Sequence, residues 1–172
     1  MVDIQYFQNM AIKNMMKLFA DQNDVTVDIN KIAETLDISV LPHDLSKYQV
    51  GVDKVMCAFV TNEQGNACIF YDLKLRENSE YAERVFIMMA FARCIATGEN
   101  NFIITENEKL SYRENTLVKE LLMPQAEVRN IVKRLLIPTT YNIGEIFKVP
   151  QDFVRIRLKE LKIATMVAGY NY

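Results

Sequence analysis

The longest apolar run of the chain lies within ERVFIMMAFARCIATGE, residues 83–99. This run from Val85 to Ala96 is interrupted only by Arg93, and it is far shorter than the roughly 20 residues that cross a bilayer. A helix that is apolar on nearly all sides is typical of a protein core. We therefore predict a buried central helix over residues 80–97, ended by Gly98, since glycine is a common C-terminal stop.

Composition and length indicate a soluble globular protein. The 172 residues are 50% hydrophobic and 24% charged, with a net charge of −2, which fits one domain or a compact pair of subdomains. The cysteines Cys57, Cys68 and Cys94 are odd in number and show no paired spacing. This pattern favours a reducing compartment. The N-terminus lacks the pattern of a signal peptide, so we expect a cytoplasmic protein without a membrane segment.

Around the central helix, periodicity predicts further helices and a small sheet. Apolar residues at helical spacing predict one amphipathic helix over residues 4–21, and Asp28 is expected to cap a helix that runs to Leu36 and ends at Asp37. Strands are predicted at 38–42, 54–60 and 67–71, the last two joined as a hairpin by the turn 61–66. The remaining helices are predicted at 112–122, 125–136, 143–147 and 151–161.

The predicted class is therefore α+β, dominated by helices, with a small antiparallel sheet and a helical C-terminal region. We divide the chain into a core of residues 1–125 and a helical subdomain of residues 126–172. Four parts of the chain then carry a family resemblance. They are VDINKIAETLDI (27–38), the central helix opened by Arg84, ENTLVKELLMP (114–124), and the pair IGEIFKV (143–149) and VRIRLKEL (154–161).

In this order, the four parts resemble the ImmA/IrrE-like family of zinc metallopeptidases over roughly residues 25–163. The segment 114–124 is similar to that family's A-N-x-F-A-x-E-L-L-M-P. The resemblance implies a zincin-type fold. It also implies a role in regulation, since members typically cleave repressors that control mobile elements or stress genes.

The resemblance fails at the zinc ligands. The family's central helix carries H-E-x-x-H, in which two histidines one turn apart bind zinc and the glutamate acts as general base. The matching register here runs from Met89 and Ala90 to Arg93, and none of these side chains can take those roles. The family's third ligand position falls near Ser111, which cannot replace a carboxylate. The resemblance therefore implies that the metal site is lost, that no cofactor is bound, and that the chain is not an enzyme.

Arg93 raises a structural question of its own. If Arg93 occupies the position of a metal-binding histidine, its permanent charge needs a carboxylate partner, because an unpaired buried charge costs several kcal/mol. The candidates in the facing segment are Glu106, Glu108 and Glu114. The alternative is that Arg93 points into solvent from the end of the helix. Both interpretations give Arg93 an architectural role.

The C-terminal segment has the outline of a helix-turn-helix. Between Arg129 and Lys162 the chain carries eight basic and three acidic residues, and basic clusters are how proteins contact phosphates. The candidate nucleic-acid contacts are Arg155, Arg157 and Lys159. The alternative is that these helices only complete the fold, since the same pattern occurs in peptidases of the family.

The sequence thus predicts a catalytically inactive pseudo-peptidase that acts as a protein-binding regulator. Its expected partner is a repressor or a host factor linked to phage or mobile elements. Two other hypotheses stay open: a DNA-binding regulator that uses residues 143–161, and a residual hydrolase with a site that the motifs do not reveal.

Overall fold

The computed structural model describes residues 4–19, 25–79 and 81–164, and its helices and strands give the predicted α+β class with helices predominating. In chain order the elements are α1 Ile4–Asn9, α2 Ile12–Phe19, α3 Ile29–Leu36, β1 Ile38–His43, β2 Gln49–Val50, β3 Asp53–Thr61, β4 Ala67–Asp72, α4 Leu75–Asn78, α5 Ala82–Thr97, β5 Phe102–Thr105, α6 Tyr112–Leu122, α7 Gln125–Arg134, α8 Thr140–Phe147 and α9 Gln151–Glu160.

The sheet is mixed, so the prediction of an antiparallel sheet is wrong. Its order is β1-β4-β3-β2, with β5 also paired to β3. The β3–β4 hairpin is antiparallel as predicted, but β1 runs parallel to β4. The reason is the segment 44–48, which carries the chain from one edge of the sheet to the other between β1 and β2. A parallel pair of this kind depends on a long-range connection, which local periodicity does not reveal.

Alternation along the strands gives the sheet two different faces. One cross-strand row consists of Val40, Ile69, Phe59 and Phe102, and it packs in the hydrophobic core against α5. The neighbouring row on the opposite face, which we call the outer row, consists of Leu41, Phe70, Ala58 and Ile103. The outer row lies outside the main core, and Leu41 and Ile103 are 48% and 38% exposed.

The helix α5 is the buried central helix that the sequence predicts. Residues 87–92 are all buried, and so are Cys94 and Ile95. The helix ends at Gly98, whose φ of 69° places it in the left-handed region and whose N–H donates to the carbonyl of Cys94 at 2.9 Å. The other side of α5 packs against α6, so that layers on both sides exclude water from it.

The N-terminal helix is divided, which corrects the prediction of one helix over residues 4–21. Helices α1 and α2 are separated at Met10 and Ala11, and residues 20 and 21 lie outside the described residues. The rings of Phe7 and Phe19 stack with centroids 6.0 Å apart. In a straight helix these two residues would stand about 18 Å apart, so the break is what brings both rings into the core.

One hydrophobic core includes residues from both sides of the predicted division at residue 125. Val128, Phe147 and Leu158 belong to the same cluster as Phe91 of the central helix. The division into two units stays a prediction. Within the residues that the structure describes, no helix has both the length and the apolar character needed to cross a membrane.

Candidate functional site around Arg93

The last turns of α5 hold Met89, Ala90 and Arg93, the three residues that the predicted family resemblance aligns with the zinc-binding motif. Met89 and Ala90 are buried, and the side chain of Arg93 is 13% exposed. Residues 89 and 93 are separated by one helical turn and therefore lie on the same face. That face is turned toward the start of α6 and the strand β5.

All three nitrogens of the Arg93 guanidinium donate hydrogen bonds. Its Nε donates to Glu114 Oε1 at 2.7 Å, and its Nη2 donates to Glu108 Oε1 at 2.8 Å. Its Nη1 donates to the backbone carbonyl of Ile103 at 3.3 Å, and its Cζ lies 5.5 Å from the ring centroid of Phe102, within the range of a cation–π contact. Arg93 therefore does not point into solvent. We call Arg93, Glu108 and Glu114 the Arg93 cluster.

Both carboxylates of the cluster are held by further hydrogen bonds. Glu114 and Ser111 form a capping box at the start of α6, in which the Ser111 N–H donates to Glu114 Oε2 at 2.6 Å and the Glu114 N–H donates to Ser111 Oγ at 3.3 Å. Glu108 Oε2 accepts from the backbone N–H of Thr105 at 3.3 Å. The third predicted partner, Glu106, is directed elsewhere and accepts from the backbone N–H of Lys54 at 3.3 Å.

These contacts keep both charges of the main ion pair fixed. Burial alone would lower the pKa of Arg93, but hydrogen bonds with Glu114 and Glu108 raise it above its ordinary value. Burial alone would raise the pKa of Glu114, but hydrogen bonds from Ser111 and Arg93 lower it below its ordinary value. Neither group changes its protonation near neutral pH, so this pair is unsuited to general acid–base catalysis, which needs a pKa near the working pH.

The two cysteines of the core are equally unsuited to nucleophilic catalysis. Burial raises the pKa of Cys57 to about 12 and that of Cys94, the neighbour of Arg93, to about 11. The reactive form of cysteine is the thiolate, which is rare at neutral pH for both groups. Among the described residues, no three His, Cys, Asp or Glu side chains are grouped so that they could hold a metal ion.

The structure corrects the predicted nucleic-acid contact Arg157. This side chain is buried at 6% exposure; its Nε donates to the carbonyl of Met123 at 3.1 Å, and its Nη2 pairs with Glu120. These contacts join α9 to the end of α6, and Arg157 lies on the inward face of α9 with the buried Val154 and Leu158. A helical count from the apolar Val154 and Leu158 could have placed Arg157 on this face from sequence alone.

The two other predicted basic contacts, Arg155 and Lys159, are exposed on α9, and Arg155 is paired with Asp152 at 2.6 Å. Sequence reasoning missed two contacts that β5 makes with Arg93, namely those of the Phe102 ring and the Ile103 carbonyl. The only signal was the short apolar sequence FII (102–104). A strand of four residues is too short for its residue pattern to distinguish it from a loop.

Comparison with known family models and curated proteins identified no relative of this chain. No family model matches the sequence, and a search of curated proteins found no match. Membership of the ImmA/IrrE-like family therefore stays a prediction that rests on the quoted segments.

Proposed function

We propose that this protein is a catalytically inactive pseudo-peptidase on a zincin-type scaffold, and that it acts as a protein-binding regulator. The partner class we propose is a repressor or a host factor linked to phage or mobile elements. The observation that carries the proposal is the Arg93 cluster. A permanently positive guanidinium with two carboxylates lies in the register where the peptidase helix would carry its second zinc-binding histidine.

The chemistry of the cluster argues for a structural role. A divalent cation needs deprotonated electron-pair donors, whereas Arg93 offers only donors of hydrogen bonds and repels a cation. Removing one member of a buried ion pair is strongly destabilising. The cluster therefore supports a scaffold that is maintained by ion pairs at the place where the family has a metal.

The outer row of the sheet supports the binding part of the proposal. Leu41 and Ile103 expose much of their apolar surface, and so does Val60, one row further along the same face at 43%. Contiguous exposed apolar surface on a folded protein commonly marks an interaction site. We therefore place the partner surface on this face.

A tagged pull-down from a lysate of the native host, divided into nuclease-treated and untreated halves, tests the proposal. We expect a protein that the wild type recovers equally from both halves. The double substitution Leu41→Glu and Val60→Glu should reduce its recovery at least tenfold, because it places two charges in the apolar face. Leu136→Glu is the matched control, since Leu136 is 96% exposed on the loop between α7 and α8.

Three outcomes would contradict the proposal. A partner that is lost on nuclease treatment would instead support DNA binding by Arg155 and Lys159. Equal recovery by the double variant and the control would remove the sheet face as the partner surface. Stoichiometric metal in the purified protein, together with a peptidase activity that chelation abolishes, would establish the residual hydrolase.

A further inference from the structure

A cavity of about 350 Å³ lies on the outer face of the sheet, beneath the segment 44–50. Its floor is formed by Ala58, Phe70 and Ile103, which are three of the four members of the outer row. Register fixes their side chains on one face, because paired residues of neighbouring strands point the same way. The floor is therefore set by the pairing of three strands and does not depend on a loop conformation.

The covering segment is held by a buried side chain and by a hydrogen bond to β3. Leu45 is buried although it lies outside the main core, and it forms part of the wall. The N–H of Tyr48 donates to the carbonyl of Leu45 at 2.9 Å, and the N–H of Val55 donates to the carbonyl of Tyr48 at 3.2 Å. The first of these bonds forms a turn within the segment, and the second fixes the segment to β3 beside the cavity.

A β-bulge adds a further apolar wall. The register of β3 against β5 shifts between Val55 and Cys57. Without that shift, Val55 would share the inward face of Cys57 and Phe59, because side chains alternate along a strand. With it, Val55 lines the outer cavity. The bulge thus replaces a contact of the main core by a contact of this cavity.

The size and lining of the cavity select its occupant. Its volume lies in the range of small-ligand pockets and is smaller than one turn of an α-helix about 10 Å across, which fills roughly 400 Å³. None of the described residues that line it is Asp, Glu, Lys or Arg. Three of them carry rings, namely His43, Tyr48 and Phe70, and the rings of His43 and Phe70 meet edge to face at 5.6 Å.

We propose that this cavity is a binding site for a small, uncharged, largely apolar aromatic molecule. The floor of apolar side chains would take the ring system, while His43 and Tyr48 offer hydrogen-bonding groups for a single polar atom of the ligand. The inference does not rest on the proposed regulatory function, because it concerns a purified protein and a ligand that is not a macromolecule.

Indole is the probe, since it is uncharged, aromatic and carries one N–H donor. We expect indole to shift the methyl NMR signals of Leu45, Val50 and Ile103 in a saturable way and to leave Leu136 and Ile137 unshifted. Ala58→Leu should fill the floor, and Val50→Phe should fill the wall from β2. Each substitution should weaken binding at least tenfold, and Val52→Ala, beside the cavity and 90% exposed, is the control.

Two results would overturn the site. One is a set of shifts that rise linearly with indole and are as large at Leu136 as at Ile103. The other is binding to the filled variants at wild-type strength. If Ala58→Leu fails to fold, Val50→Phe still decides, because Val50 is half-exposed and tolerates added volume. A failed pull-down would leave this result unaffected, and a failed titration would leave the pull-down unaffected.

Discussion

At the scale of single residues, Glu114 combines a helix cap with a buried ion pair. We expect Glu114→Gln to lower the free energy of unfolding by about 3 kcal/mol at pH 7, because it leaves the charge of Arg93 without its nearest partner. The folded-state pKa of Glu114 lies below its ordinary value of 4.5. The stabilisation by its charged form is therefore present above about pH 4.5 and is lost as the pH falls through the lower folded-state pKa.

Urea unfolding of the wild type and of Glu114→Gln between pH 7 and pH 3 measures the difference in their free energies of unfolding. This difference should become smaller below about pH 4.5. Glu106→Gln is the matched control, since Glu106 has the same side chain in the same segment but lies outside the Arg93 cluster. We expect it to change stability by less than about 0.5 kcal/mol. Equal stabilities of the two variants at pH 7 would show that Glu114 is not needed to stabilise the buried charge of Arg93.

The sequence limits what can be predicted about these carboxylates. The need for a partner of Arg93 follows from its charge within an apolar helix, and the facing segment offers three candidates. The choice among them depends on β5. This strand directs Glu106 toward Lys54 and leaves Glu108 facing the guanidinium. Because β5 was not predicted, neither was the choice.

At the scale of elements, Gly144 determines how closely α8 can approach the turn that follows it. A Cβ at this position would lie 2.8 Å from the backbone carbonyl oxygen of Val149. Replacing glycine by alanine inside a helix normally stabilises by about 1 kcal/mol. We expect Gly144→Ala to destabilise instead, by about 1–3 kcal/mol, because the carbonyl is backbone and cannot rotate away.

Thermal unfolding followed by circular dichroism tests the sign of this change. Asn130→Ala, at an exposed position within α7, is the control and should raise stability by a few tenths of a kcal/mol through helix propensity alone. If Gly144→Ala raises the melting temperature as the control does, the close approach of α8 to the turn is refuted.

Helix ends were predicted well where a side chain or a glycine marks them. Asp28 caps α3 by accepting from the N–H of Asn30 at 2.9 Å, and Asp37 ends it with a φ of 54°. The Gly98 stop is also confirmed. The parallel pairing of β1 with β4 was missed, since it joins residues almost 30 positions apart and leaves no local mark.

At the scale of the whole molecule, the sequence indicated a core around the central helix but not which segments share it. The apolar run 85–96 predicts that other elements cover α5 on nearly all sides, but it does not predict which elements these are. Helices α7, α8 and α9 each contribute residues to the same cluster, and the ion pair between Arg157 and Glu120 joins α9 to α6. We therefore expect the described part of the chain to unfold as one unit.

The reactivity of the buried cysteine thiols tests whether the described part of the chain unfolds as one unit. Cys57 and Cys94 are fully buried in the core, and their pKa values are raised to about 12 and about 11, whereas Cys68 is only half-buried. In the variant Cys68→Ser, both remaining thiols should react with a disulfide reagent only in the unfolded chain, since the thiolate is the attacking form. Their reaction and the loss of helical circular dichroism should then share one urea midpoint.

An earlier loss of helix, with Cys94 still protected, would establish residues 126–172 as a separate unit. Reaction of either thiol without urea would contradict their burial.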